Sequence, residues 1–142
     1  MKKFRKTLIV DDDPASRFLA RTMLEELQVT EEIIELPHGK AALEYIQENC
    51  VGNQKASAAC PDWILLDLNM PVMNGLELLN HLQELHQSAL IRESVTILTS
   101  SANPKDIART HTLGVNRYFT KPLTEQNMQV FLTDLLNRKS NP

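Results

Sequence analysis

Long apolar runs are missing from this chain of 142 residues, and nothing approaches the ~20 consecutive apolar residues that cross a bilayer. The basic start Lys2-Lys3-Phe4-Arg5-Lys6 leads only into Leu8-Ile9-Val10 before three aspartates interrupt it. No secretory signal core is therefore present, membrane insertion is not expected, and the cytoplasm is the expected compartment. Cysteine is scarce. Cys50 and Cys60 bracket a polar stretch; in a cytoplasmic chain the expected state is two reduced thiols, a disulfide across the loop being the alternative. The four histidines, His38, His81, His86 and His111, stand at no metal-ligand spacing, which removes the case for zinc. A strong excess of one charge is also lacking. The net charge of −3 and pI near 5.8 argue against nucleic-acid binding as the main task, so no DNA binding is expected. What remains is ordinary: 42% hydrophobic and 23% charged residues, at a length that buries one core.

Short apolar runs alternate with longer helical patterns. Strands are expected at Thr7 to Val10, Glu32 to Leu36, Trp63 to Leu66, Val95 to Leu98 and Asn116 to Phe119. Asp13-Pro14 reads as an N-cap and first helical residue, opening a helix with Phe18, Leu19, Met23 and Leu27 inward. The second helix turns Ala42, Tyr45 and Ile46 inward, and the third Leu78, Leu82 and Leu85. Asn103-Pro104 opens the fourth, whose main apolar residue is Ile107. The fifth carries Met128, Phe131, Leu132, Leu135 and Leu136 and ends near Asn137. Residues 50–60 read as an extended loop, longer than the usual ~2–6 residues. This is a (βα)5 order, an α/β chain with a parallel sheet covered on both faces. It is expected to be a single domain over 1–142, with a core over about 5–137 and no output module.

Asp11 and Asp12 end the first strand, Asp67 the third and Thr99 the fourth, and Lys121 follows the fifth. All fall at the carboxyl ends of strands, where open α/β sheets bind ligands. In a flavodoxin-like, doubly wound order 2-1-3-4-5 the first and third strands are neighbours, so Asp12 and Asp67 meet. Converging carboxylates repel unless a cation sits among them. Oxygen-only donors favour Mg²⁺, with Mn²⁺ able to substitute. A carboxylate nucleophile beside a divalent ion, an ammonium and a hydroxyl is the equipment for phosphoryl transfer to aspartate.

These segments resemble the receiver (CheY-like) domain of two-component response regulators over essentially the whole chain. Leu8-Ile9-Val10-Asp11-Asp12 is similar to that family's opening strand and acidic pair. Ile64 to Pro71 with Asn74-Gly75 resembles its phosphorylation segment, Ile97-Leu98-Thr99-Ser100 its switch strand, and Gly114 with Tyr118-Phe119-Thr120-Lys121-Pro122 its lysine segment. The resemblance implies Asp67 as phosphoacceptor. It makes Asp12 a direct Mg²⁺ ligand with Asp11 reaching the ion or its waters, and the Asn69 backbone carbonyl a further ligand. Lys121 is implied as partner of the phosphoryl oxygens, Thr99 and Tyr118 as the coupled switch, and the bond to Pro122 as cis. By the same resemblance, Asn69 and Ser101 stand at positions that tune acyl-phosphate lifetime in that family. The implied function is a stand-alone regulator in a two-component system or phosphorelay, taking its phosphoryl group from a histidine kinase or histidine phosphotransfer protein. It would signal to a downstream protein through the fourth helix, fifth strand and fifth helix. It would be no enzyme beyond self-phosphorylation from small donors and autodephosphorylation. Two rivals stand beside this reading: a receiver-fold interaction module that is never phosphorylated, and a haloacid-dehalogenase-type phosphohydrolase built on Asp11-Asp12-Asp13. The second lacks an acidic pair after Lys121, where only Glu125 and Asp134 follow, and lacks a cap domain.

Overall fold

A computed structural model describes residues 4–50, 59–100, 103–115 and 117–140, with side chains to residue 134. In chain order these form β1 (Phe4–Val10), α1 (Pro14–Glu26), β2 (Thr30–Leu36), α2 (Gly39–Asn49), β3 (Trp63–Leu66), α3 (Gly75–Glu84) and α4 (Ser88–Ser94). They continue with β4 (Val95–Thr99), α5 (Pro104–Thr112), β5 (Tyr118–Thr120) and α6 (Glu125–Ser140). The five strands make one parallel sheet in the order β2-β1-β3-β4-β5, the flavodoxin-like order expected. Within the apolar runs, period-2 alternation divides the side chains between two cores. Leu8, Val10, Ile64, Leu66 and Ile97 face α2, α3 and α4. Ile9, Trp63, Leu65 and Leu98 face α1 and α6. Trp63 is 1% exposed, stacks against both Phe4 and Phe131, which also stack on each other, and donates its indole N–H to Thr96 Oγ1 at 3.0 Å. It is a core residue, as its distance from Asp67 along the strand implies.

Helix starts follow the caps written in the sequence. Asp13 accepts from the Ala15 amide with Pro14 behind it, Asn74 and Glu77 form a reciprocal capping box, and Asn103 accepts from the Lys105 amide ahead of α5. Four expectations need correction. In α1 the buried stripe is Ala20 and Leu24, with Met23 and Leu27 beside it, while Phe18 and Leu19 are 65% and 59% exposed. Two residues turn an α-helix by about 200°, so a helix buried at Ala20 carries Phe18 outward. Leu85 ends α3 as its C-cap and is 40% exposed. The short helix α4, which buries Leu90 and Ile91, is a sixth helix where five were expected. The helix at Pro104 is therefore α5, and the last helix is α6 and runs to Ser140. Asn116, Leu135 and Leu136 were assigned to β5 and α6; Asn116 and the two leucine side chains lie outside the described residues.

The fourth correction is covalent. Cys50 and Cys60 form a disulfide with Cα atoms 4.9 Å apart. Hydrogen bonds from three directions hold its two ends. Arg5 Nη2 donates to the Cys60 carbonyl at 2.8 Å, Gln87 Nε2 donates to the Cys50 carbonyl at 3.3 Å, and Tyr45 and Lys6 donate to the Ala59 carbonyl. A bridge across ten positions restricts the unfolded chain by about 3 kcal/mol on the loop-closure argument. Replacing both cysteines with alanine is expected to lower unfolding free energy by that order. Denaturant melts with and without reductant test this: the wild type should fall to the double variant when reduced, and the double variant should not respond.

Candidate functional site

The registers set the rim of the sheet. Val10 lies opposite both Leu36 and Leu66, Leu66 opposite Ile97, and Thr99 opposite Thr120. The residue following each strand therefore emerges on the same edge. Asp11 and Asp67 emerge side by side, bound into the ladder through Asp11 N–H to Leu36 O at 3.1 Å and Asp67 N–H to Val10 O at 3.0 Å. Both are buried, at 3% and 6% exposure. Lys121 follows β5, with its amide bonded to the Thr99 carbonyl at 2.8 Å. Its ammonium crosses to Asp11 Oδ2 at 2.6 Å and Asp67 Oδ2 at 3.3 Å. The Lys121–Pro122 bond is cis, as the resemblance implies.

Asp67 Oδ1 also accepts from the Asn69 amide at 3.3 Å. Burial is the main cause that pushes the Asp67 carboxyl above its ordinary range; the Lys121 ammonium opposes this and the Asp11 charge adds to it. For Lys121, burial pulls downward, but the hydrogen bond to Asp11 and the charges of Asp67 and Asp11 outweigh it and hold the ammonium above its usual value. Asp12 is exposed at the mouth. Carboxylate oxygens of Asp11, Asp12 and Asp67 all come within 4.8 Å of one another. The three carboxylates outnumber the one ammonium by two charges, and every donor is oxygen. That set fits a hard divalent ion of the Mg²⁺ or Mn²⁺ type.

Thr99 is fully buried at the end of β4, two residues past the partner of Leu66. Tyr118 is half-buried against the α2–α4 core. Burial first, then the carboxylates of Asp106 and Asp67, hold its hydroxyl above the ordinary value, so Tyr118 feels the charge at the rim. Ser101 lies outside the described residues. The phosphohydrolase reading needs Asp13 beside Asp11 in the site, but Asp13 uses its carboxylate to cap α1.

Sequence reasoning missed a pair behind the acidic rim. Arg17 donates from Nη1 to the Asp11 carbonyl at 2.6 Å and from Nε to Glu35 Oε1 at 3.3 Å. A cation near the start of a helix opposes the dipole there, and that placement was the available signal.

The family model for the response regulator receiver domain matches residues 7–133. The chain belongs to that family, whose receiver domains act in two-component signalling, are phosphorylated by histidine kinases, typically bind Mg²⁺, and are typically signalling proteins rather than enzymes. It is similar to the response regulator Rcp1 of Synechocystis, 33% identical over 114 residues that cover 80% of this chain and 74% of the relative. Among solved structures it resembles a two-component response regulator from Cytophaga hutchinsonii (30% identity, TM-score 0.78, covering 96% and 99% of the two chains). It also resembles the Mn²⁺-bound form of response regulator Rcp1 (30% identity, TM-score 0.70, covering 92% and 91%). Among the described residues no helix is long and apolar enough to cross a membrane.

Proposed function

We propose that Asp67 is the phosphoacceptor of this receiver, taking a phosphoryl group from the phosphohistidine of a histidine kinase or histidine phosphotransfer protein, or from a small phosphodonor. The observation carrying this is the Lys121 ammonium held across two buried carboxylates at the carboxyl rim of the sheet. A carboxylate oxygen of Asp67 attacks phosphorus in line, the phosphorus–nitrogen bond to the donor imidazole breaks, and an acyl phosphate forms on Asp67. Asp11, Asp12, Asp67 and the Asn69 carbonyl would hold Mg²⁺, which when bound neutralises the non-bridging phosphoryl oxygens. Lys121 turns from the carboxylates to a phosphoryl oxygen.

The switch follows from the same rim. Thr99 swings its hydroxyl to the new oxygens and Tyr118 fills the space left, reshaping the face made by α5, β5 and α6 for a downstream protein. α5 suits an adjustable element, for Thr110 is its one buried residue.

The test is labelling with a small acyl-phosphate donor. In the presence of Mg²⁺ the chain should gain one hydroxylamine-labile phosphoryl group that maps to the peptide carrying Asp67, and chelation with EDTA should prevent it. Mapping to any other residue, or labelling indifferent to EDTA, would overturn the assignment.

A further inference from the structure

We propose that Arg17 is a positioning residue for the acidic rim, holding Asp11 and Asp12 in the arrangement that binds a divalent cation. This deepens the metal reading above and rests on it. The rim's weak point is the turn at the end of β1. Asp11 N–H is secured by the sheet through Leu36 O, but one residue later the chain leaves the ladder, and Asp12 stands exposed between Asp11 and the α1 cap. The peptide joining Asp11 to Asp12 sets where the Asp12 carboxylate points. The acceptor of that peptide, the Asp11 carbonyl, takes the Arg17 Nη1 donor at 2.6 Å.

The guanidinium is itself fixed. Its Nε faces Glu35 Oε1 at 3.3 Å near the end of β2, and the second Glu35 oxygen is held by Arg21, one helical turn further along α1. Arg21 also reaches the Ile33 carbonyl and Glu25. Glu35 thus staples α1 to β2 through two arginines. Only Arg17 extends the staple to the metal turn, using its rigid fork to serve a carbonyl and a carboxylate at once. From the opposite side, the Asp13 amide donates to Asp11 Oδ1 at 3.0 Å. Arg17 and Asp13 together fix both the backbone and the carboxylate of Asp11.

The sign of the effect separates positioning from plain electrostatics. Arg17 is a cation beside an anionic site, so by charge alone its removal would tighten cation binding. A positioning role gives the opposite sign, and partners that orient metal ligands typically carry about 10–100-fold in affinity. The experiment measures Mn²⁺ binding from the paramagnetic resonance signal of the free ion, with Mg²⁺ competition, on the full chain. Thermal melts run alongside. Arg17→Ala should bind about tenfold more weakly. Arg17→Lys, which keeps the charge but loses the fork, should recover part of that loss. Arg21→Ala loses its own bonds to Glu35, Ile33 and Glu25 without touching Asp11, so it should lose stability while binding like the wild type. Arg17→Ala binding as tightly as the wild type or more tightly would overturn the inference. So would Arg21→Ala losing affinity in step with its melting temperature, because Arg17 would then act only through stability. A wild-type chain that binds neither ion would remove the metal reading itself, a distinguishable result.

Discussion

Asp67→Asn is expected to take up no phosphoryl group from a small donor, a loss on the order of 10³-fold or more in labelling rate. An amide offers no anionic oxygen to attack phosphorus, while its carbonyl can still accept the Asn69 amide and Lys121 keeps its 2.6 Å bond to Asp11. The fold should therefore survive. Its stability should rise in chelator at neutral pH. In the wild type, burial and the Asp11 charge raise the Asp67 carboxyl above its ordinary value. A carboxyl raised in the folded state favours folding where it is protonated and loses that contribution as pH climbs through the interval between the unfolded and folded values. At pH 7 the ionised side chain is thus a cost to the metal-free fold that the neutral amide does not carry. Denaturant melts in EDTA should place Asp67→Asn above the wild type at pH 7, with the gap closing as pH falls. A variant that labels at the wild-type rate would sink the acceptor assignment. One less stable at neutral pH would contradict the electrostatic account.

The second large effect belongs to a residue with no side chain. A Cβ built on Gly75 meets the Asp67 carbonyl oxygen at 2.6 Å, Leu68 Cδ2 at 2.9 Å and Leu68 Cα at 3.0 Å. Two of those three obstacles are backbone, which has no rotamer to yield. Gly75 N–H also bonds to Leu68 O at 3.0 Å, so the start of α3 is clasped against the peptide that carries the acceptor. Gly75→Ala should cost about 3 kcal/mol, the upper end for overpacking, or roughly 10 °C in melting temperature for a domain of this size. Because relief comes by moving the Asp67–Leu68 peptide, phosphoryl uptake should slow in the folded fraction although every polar group is still present. A melt within 1–2 °C of wild type, with unchanged labelling, would show that α3 yields instead.

How much of this was legible depends on which forces act locally. The strands were, because Leu8-Ile9-Val10 and Ile64-Leu65-Leu66 are apolar runs ended abruptly by aspartate, and a parallel sheet buries both of its faces. The convergence of Asp11, Asp12, Asp67 and Lys121 was also legible, because strand order alone carries those positions to one rim. The facing of α1 was not. Phe18 and Leu19 are apolar, yet the pattern at Ala20, Met23, Leu24 and Leu27 is the one the sheet selects, and burial of a small alanine leaves little signal. α4 was hidden by its seven residues and the lack of a side-chain cap. The disulfide was misjudged because compartment statistics speak to chemistry in general, whereas pairing depends on where the ends of α2 and β3 are pinned. Arg17 and Glu35 meet only once β2 lies beside β1, so spacing along the chain cannot reveal them.

The pinned ends at Cys50 and Cys60 bear on how β3 is anchored. They lie where α2 ends and just before β3 begins, at the opposite end of β3 from Asp67. Because Arg5, Lys6, Tyr45 and Gln87 hold both posts from the framework side, the entry into β3 is tied down independently of the strand end that presents the acceptor.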